Sequence, residues 1–196
     1  MFTGIVEAVG KIREIIPDKT NKHFRMESPI SNELKVDQSV SHNGVCLTVT
    51  KLEGNTHWVT AIHETLQKSN LGNLQPSELV NLERCMKADG RFDGHIVQGH
   101  VDQTAVCEKI TDQDGSYVYR FSFEPTVNSL LVEKGSICLN GVSLTCFHLG
   151  QNSFEVAIIP YTLENTTFRY LKVGDVVNLE FDIIGKYVKA LVGGKQ

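Results

Sequence analysis

Alternation of apolar and polar positions dominates this chain. CLTVTKL at 46–52 and THWVTAI at 56–62 alternate on either side of EGN, and SLTCFHL at 143–149 and SFEVAII at 153–159 do the same around GQN. Each reads as strand, tight turn, strand, with β-branched residues supporting the assignment. ITDQDGSYVYRFSF at 110–123 places a DG turn between two more strand-like runs. Helical periodicity is thin. It predicts short helices over 64–70 (ETLQKSN), over 126–134 (TVNSLLVEK) and at the end of the chain, starting near 183. There Ile184, Tyr187, Val188 and Leu191 recur on one helical face. So short a helix is marginal alone, which leaves packing on its own chain and packing on a neighbouring subunit both open.

The pattern occurs twice. NGVCLTV (43–49) returns as NGVSLTC (140–146), and VNLE (80–83) as VNLE (177–180). Between Ser39/Ser136 and Glu83/Glu180, 17 of 45 ungapped positions are identical at an offset of 97, where chance gives about three. GIVEAV (4–9) matches GHVDQT (99–104) at an offset of 95. The chain is therefore a duplication, with its boundary near ADGRFDGH at 88–95. The expected domains are 1–94 and 95–186, with 187–196 as helix end and tail. Short, evenly spaced strands in so few residues favour a sheet that closes on itself and leaves no edge. The expected fold is all-β: two tandem, similar antiparallel barrels plus a C-terminal helix.

Composition narrows the function. A net charge of −4 and a pI of about 6.0 give no basic field for nucleic acid. No apolar run approaches the ~20 residues of a membrane helix. MFTGIVEAVG lacks a basic region ahead of an apolar one, so no secretion signal is expected. Five scattered cysteines (46, 85, 107, 138 and 146) without a CxxC pair argue against a disulfide framework or zinc knuckle, and for a reducing, cytoplasmic setting.

The repeated motif carries the candidate chemistry. Asn43-Gly44 and Asn140-Gly141 suit tight hairpin turns for purely geometric reasons. Turn geometry does not account for the residues next in the motif. Alternation puts Cys46 and Thr48 on one side of a strand and Leu47 on the other, with Ser143, Leu144 and Thr145 in the same relation. A small polar pair on one side suits a wall that hydrogen-bonds a flat polar ligand. In GHIVQGHVD (94–102), Gly99 permits a close backbone approach and His100 can shuttle a proton or be merely structural. His95 and His100 lie five apart, without metal-site spacing, so no metal is expected. Cys46 reads as a small wall residue. His23, His57 and His148 read as surface residues.

MFTGIVE, NGVCLT, GHIVQGHVD, GSICLNGVSLT, IIPYTLENTTF and NLEFDIIGKYV, in this order along the whole chain, resemble the riboflavin synthase alpha family. The resemblance implies two six-stranded Greek-key barrels and a C-terminal helix that helps form a homotrimer. It implies a dismutation in which two molecules of 6,7-dimethyl-8-ribityllumazine exchange a four-carbon unit, giving riboflavin and 5-amino-6-ribitylamino-2,4-pyrimidinedione without a separate cofactor. It leaves open an association with lumazine synthase. A working site would pair the first barrel of one subunit with the second barrel of its neighbour, two substrate molecules per site.

Carried over by motif, the first pocket would use Gly4, Ile5, Val6, Cys46, Leu47 and Thr48, then Thr60, Ala61, Ile62, His63, Glu64 and Thr65. The second would use Gly99, His100, Val101, Lys134, Ser143, Leu144 and Thr145, then Ile158, Ile159, Pro160, Tyr161, Thr162 and Leu163. His100, Ser143 and Thr145 would manage the proton and attacking water, while Phe2 and Cys46 shape the meeting point of the substrates. Three features depart from the family pattern: Asn140 in place of an Asp, Tyr161 and Asn165 in place of a His and an Arg, and Gln103 in place of a Gly. Two rivals share the fold: a non-catalytic lumazine- or flavin-binding antenna or carrier protein, and a flavin-binding reductase barrel. The latter would need a nucleotide domain, for which no glycine-rich fingerprint is present.

Overall fold

The computed structural model describes residues 1–126 and 129–192. The first half forms β1 (Ala8–Asp18), β2 (Asn21–Glu27), β3 (Ser39–His42), β4 (Val45–Glu53), β5 (Thr56–Ala61), α1 (His63–Lys68) and β6 (Leu79–Arg84). The second forms β7 (Gln103–Asp112), β8 (Tyr117–Phe123), β9 (Ser136–Leu139), β10 (Val142–Phe147), β11 (Ser153–Ile158), α2 (Pro160–Asn165) and β12 (Val176–Phe181). Helix α3 (Ile183–Val192) follows. The strands close into two antiparallel barrels of identical Greek-key order, β1-β2-β5-β4-β3-β6 and β7-β8-β11-β10-β9-β12. Each long first strand carries a register shift at the equivalent place, between Ile12 and Glu14 and between Cys107 and Lys109. Such bulges bend a strand enough to close a small barrel.

Inward-facing positions fill two separate cores. The first is aliphatic around Ile12, Val40, Val49, Val59 and Leu82, and the second is aromatic, with Tyr119, Phe121, Phe154 and Phe168 in edge-on and stacked contact. His57, expected at the surface, is instead fully buried in the first barrel. Its Nε2 meets Nε2 of buried His42 at 2.9 Å, and its Nδ1 meets Oγ of Ser31 at 2.8 Å. Alternation along β5 turns position 57 inward with Val59 and Ala61. Imidazoles are tolerated there because each ring nitrogen has a partner.

The expected helix over 126–134 does not form across Ser129–Lys134, and Val127 and Asn128 lie outside the described residues. Lys134 takes a left-handed φ of 63°, which breaks a helix, and Leu131 is drawn onto the second core. Helix α2 was not expected. Pro160 occupies its first turn, where a missing N–H costs nothing.

The two barrels meet at the twin turns. Asn43 and Asn140 adopt φ of 47° and 45°, Gly44 and Gly141 φ of 80° and 79°, as a primed hairpin turn requires. The turns touch: a Cβ on Gly44 would lie 2.8 Å from N of Gly141, and the reverse substitution would come equally close. Four buried asparagines lock the contact reciprocally. The backbone N of Asn81 donates to Oδ1 of Asn43 and that of Asn178 to Oδ1 of Asn140. The Asn81 Nδ2 donates to O of Asn140, and the Asn178 Nδ2 to O of Asn43. Asn140 is thus a structural residue, and the geometric reading of both Asn-Gly pairs is correct.

Candidate functional site

Leu47 is buried in the first core and Leu144 packs against the second, while Cys46, Thr48, Ser143 and Thr145 face outward. The outward face is open because a seam opens beside it. Pairing of β4 with β5 runs only from Glu53↔Thr56 to Val49↔Val59. Pairing of β10 with β11 is limited to Cys146↔Val156 and Phe147↔Glu155. Beyond those rungs the strands diverge at both copies of the motif.

Two straps enter the open seams, and each comes from the other half of the chain. The N of Ser143 donates to O of Gly4 at 2.7 Å, and the N of Cys46 donates to O of Gly99 at 2.9 Å. A Cβ on Gly4 would lie 2.6 Å from Cβ of Ser143, and one on Gly99 2.6 Å from Cβ of Cys46. Only glycine allows this approach. The pocket grouping carried over from sequence is therefore corrected: Gly4, Ile5 and Val6 belong with Ser143, and Gly99, His100 and Val101 with Cys46. Val6 packs on the second core and Val101 on the first.

Strand parity extends this geometry. Successive residues of a strand direct their backbone groups to opposite edges. Since the amides of Cys46 and Ser143 point into the seams, those of Thr48 and Thr145 do so two residues on, where no rung faces them. Each shelf thus offers a backbone edge, an outward threonine and an exposed isoleucine, Ile62 or Ile159, each 55% exposed. Thr60, Thr65, Thr162 and Leu163 border the shelves half-buried, and Ala61 and Ile158 turn into the barrels. His63, Glu64, Pro160 and Tyr161 are exposed on α1 and α2. The Thr60 hydroxyl meets Nδ1 of His23 at 2.8 Å.

The imidazole beside Ser143 is His95, not His100. The His95 Nδ1 lies 2.6 Å from the Ser143 Oγ. Burial lowers the His95 pKa, with the Asp182 carboxylate pulling the other way. The His95 N donates to O of Thr3, so this ring is held by the strap that pins Ser143. His100 is exposed beside the first shelf. The family resemblance implies a place for His100 in the second pocket, but the strap that carries it crosses to Cys46 of the first barrel. The two neighbourhoods, GHI at 94–96 and GHV at 99–101, are nearly alike and give no sign of which histidine meets Ser143. Phe2, expected at the substrates' meeting point, is fully buried against Val97, Cys138 and Cys46, so it supports the straps from beneath. Lys134 is exposed, with its Nζ 4.7 Å from the centroid of the Phe147 ring.

Comparison with known proteins agrees with the duplication. The family model described as "Lumazine binding domain" matches residues 3–85 and again residues 98–182. A riboflavin synthase of Actinobacillus pleuropneumoniae is 43% identical over 195 residues, covering 96% of this chain and 88% of that protein. Riboflavin synthases of Mycobacterium tuberculosis and Schizosaccharomyces pombe are 41% and 39% identical, each covering 98% of this chain and respectively 98% and 94% of those proteins. Among solved structures, LumP complexed with 6,7-dimethyl-8-(1'-D-ribityl) lumazine superposes with a TM-score of 0.84 at 21% identity, covering 92% of this chain and 99% of that one. Its complex with riboflavin gives 0.85. The fold is thus shared with LumP, and the sequence lies much closer to the synthases. The chain belongs to the lumazine binding domain family, two copies of that domain in tandem, and its relatives there include riboflavin synthases 39–43% identical to it.

Proposed function

We propose that this chain is a riboflavin synthase, converting two molecules of 6,7-dimethyl-8-ribityllumazine into riboflavin and 5-amino-6-ribitylamino-2,4-pyrimidinedione by transfer of a four-carbon unit. The observation that carries this reading is the pair of like shelves with unlike chemistry. Both offer a backbone edge, an exposed isoleucine and a threonine, as two copies of one flat heterocycle require. Among the described residues, the second sets a hydroxyl and an imidazole, Ser143 and His95, 2.6 Å apart at the strap itself, where the first has Cys46. Neutral His95 takes the proton of the Ser143 hydroxyl, or of a water held there, as it adds to the electrophilic ring carbon of one lumazine. The acidic ring methyl of the other supplies the carbon nucleophile. The added oxygen is expelled again, recovering its proton from His95, as the four-carbon unit passes across; one substrate is donor and the other acceptor, so atoms balance without an added oxidant or cofactor.

As the family resemblance implies, the reading pairs the first shelf of one subunit with the second of another, so that two ring systems meet face to face. Helix α3 supplies the contact. Its Lys186 Nζ pairs with Oδ2 of Asp102 at 2.6 Å, which fixes the helix on the second barrel. Meanwhile Ile184, Tyr187, Val188 and Leu191 stand 53–83% exposed. We assign that face to the contacts of a homotrimer. Orienting two reactants in this way contributes roughly 7–11 kcal/mol to lowering a barrier. All five cysteines are free, which accords with a cytoplasmic enzyme.

Purified protein mixed with 6,7-dimethyl-8-ribityllumazine is expected to yield riboflavin and the pyrimidine in equal amounts. Tight binding of the lumazine without product would overturn the enzyme reading in favour of a carrier.

A further inference from the structure

Each strap glycine is held at both ends. The N of Gly4 donates to Oε2 of Glu83 at 3.0 Å, while Thr3 donates to Oε1 from its N at 2.6 Å and from its Oγ1 at 2.8 Å. The N of Gly99 donates to Oε2 of Glu180 at 3.0 Å, and the N of Gln98 to Oε1 at 2.7 Å. Glu83 lies on β6 in the first barrel, but the carbonyl of Gly4 serves Ser143 in the second. Glu180 lies on β12 in the second barrel, but the carbonyl of Gly99 serves Cys46 in the first. Both carboxylates are almost fully buried, 5% and 3% exposed. Among the described residues no arginine or lysine side chain is bonded to them: Glu83 accepts from two backbone N–H groups and the Thr3 hydroxyl, and Glu180 from two backbone N–H groups.

We infer that Glu83 and Glu180 are crossed positioning residues: Glu83 sets the second shelf from the first barrel, and Glu180 sets the first shelf from the second barrel. One residue transmits the position in each case, its N–H on the glutamate and its C=O on the amide that opens the shelf. A glutamine at either position keeps the shape but replaces one acceptor oxygen by a donor. One strap amide then loses its partner, and the far shelf loosens while the near one does not. Both sites are thereby tied to the integrity of the opposite barrel. The consequence for ligands rests on the function proposed above, whereas the hydrogen-bond wiring does not.

The test reads both levels. In ligand-free protein, Glu180→Gln is expected to speed amide exchange at Cys46 about tenfold, the worth of one hydrogen bond, and leave Ser143 unchanged. Glu83→Gln is expected to do the reverse. For 6,7-dimethyl-8-ribityllumazine binding, Glu180→Gln should be non-additive with Thr48→Ala and additive with Thr145→Ala, and Glu83→Gln the opposite. If a glutamine variant does not fold, Thr3→Val and Glu180→Asp supply milder lesions with the same crossed pattern. Exchange that rises on the near shelf, or equally on both, overturns the proposal. Crossed exchange with no lumazine bound would sink the functional reading and leave the positioning intact.

Discussion

Burial decides what His95 does for Ser143. A neutral imidazole in its Nε2–H tautomer presents an unprotonated Nδ1 to the serine hydroxyl, and the lowered pKa extends the neutral state below the ordinary imidazole value of 6.5. His95→Gln is expected to cut turnover by about 10²–10⁴-fold, with lumazine affinity nearly unchanged in a fluorescence titration. His100→Gln is expected to affect binding at the first shelf more than turnover. Equal loss of turnover in both variants would reject this assignment. A second pair of histidines answers to pH through stability. Burial, with His57 beside it, lowers the His42 pKa to about 3, and burial lowers that of His57 to about 4. The unfolded chain binds both protons below pH 6.5 and the folded chain does not. This contribution to stability is therefore full above pH 6.5 and is lost as pH falls toward 4 and 3, by at most about 2.7 kcal/mol per pH unit. Urea midpoints measured from pH 7 to pH 4.5 should show it. The double variant His42→Leu, His57→Phe, which copies Leu139 and Phe154 of the second half, should flatten the dependence.

Turns, seams and helix α3 each carry their own expectation. Gly44→Ala combines a φ of 80° with a contact of 2.8 Å to the opposite turn. It is expected to cost about 1–3 kcal/mol from the backbone conformation alone, with more from the clash, read as a lower urea midpoint. Tyr187→Asp with Leu191→Asp should leave the barrels folded, since neither side chain packs on them. Sedimentation should then show single chains that bind lumazine but make no riboflavin; an unchanged oligomer would refute the role given to α3. The hairpins β4–β5 and β10–β11 were legible in the sequence because one side of each faces a core, and alternation records that. Helix α3 was legible because its apolar residues recur on one face. The seams were not, because divergence of two strands leaves the alternation of each intact. Nor was the pairing of His95 with Ser143. It depends on a strap crossing from one half to the other, and the offset of 95 between GIVEAV and GHVDQT is the same whether the straps stay or cross.

At the scale of the whole chain, duplication set the architecture and reciprocity holds it together. Turn meets turn, asparagine answers asparagine, and each strap finishes the other half's seam. Such contacts have the self-complementary form of an interface between two identical subunits. Between separate identical copies, every substitution is imposed on both sides of the axis at once, so neither side can specialise. Covalent tandem linkage lifts that restriction. Cys46 and Ser143, Thr60 and Ala157, His42 and Leu139, and His57 and Phe154 mark where the two sides have parted, leaving one frame with two chemical temperaments.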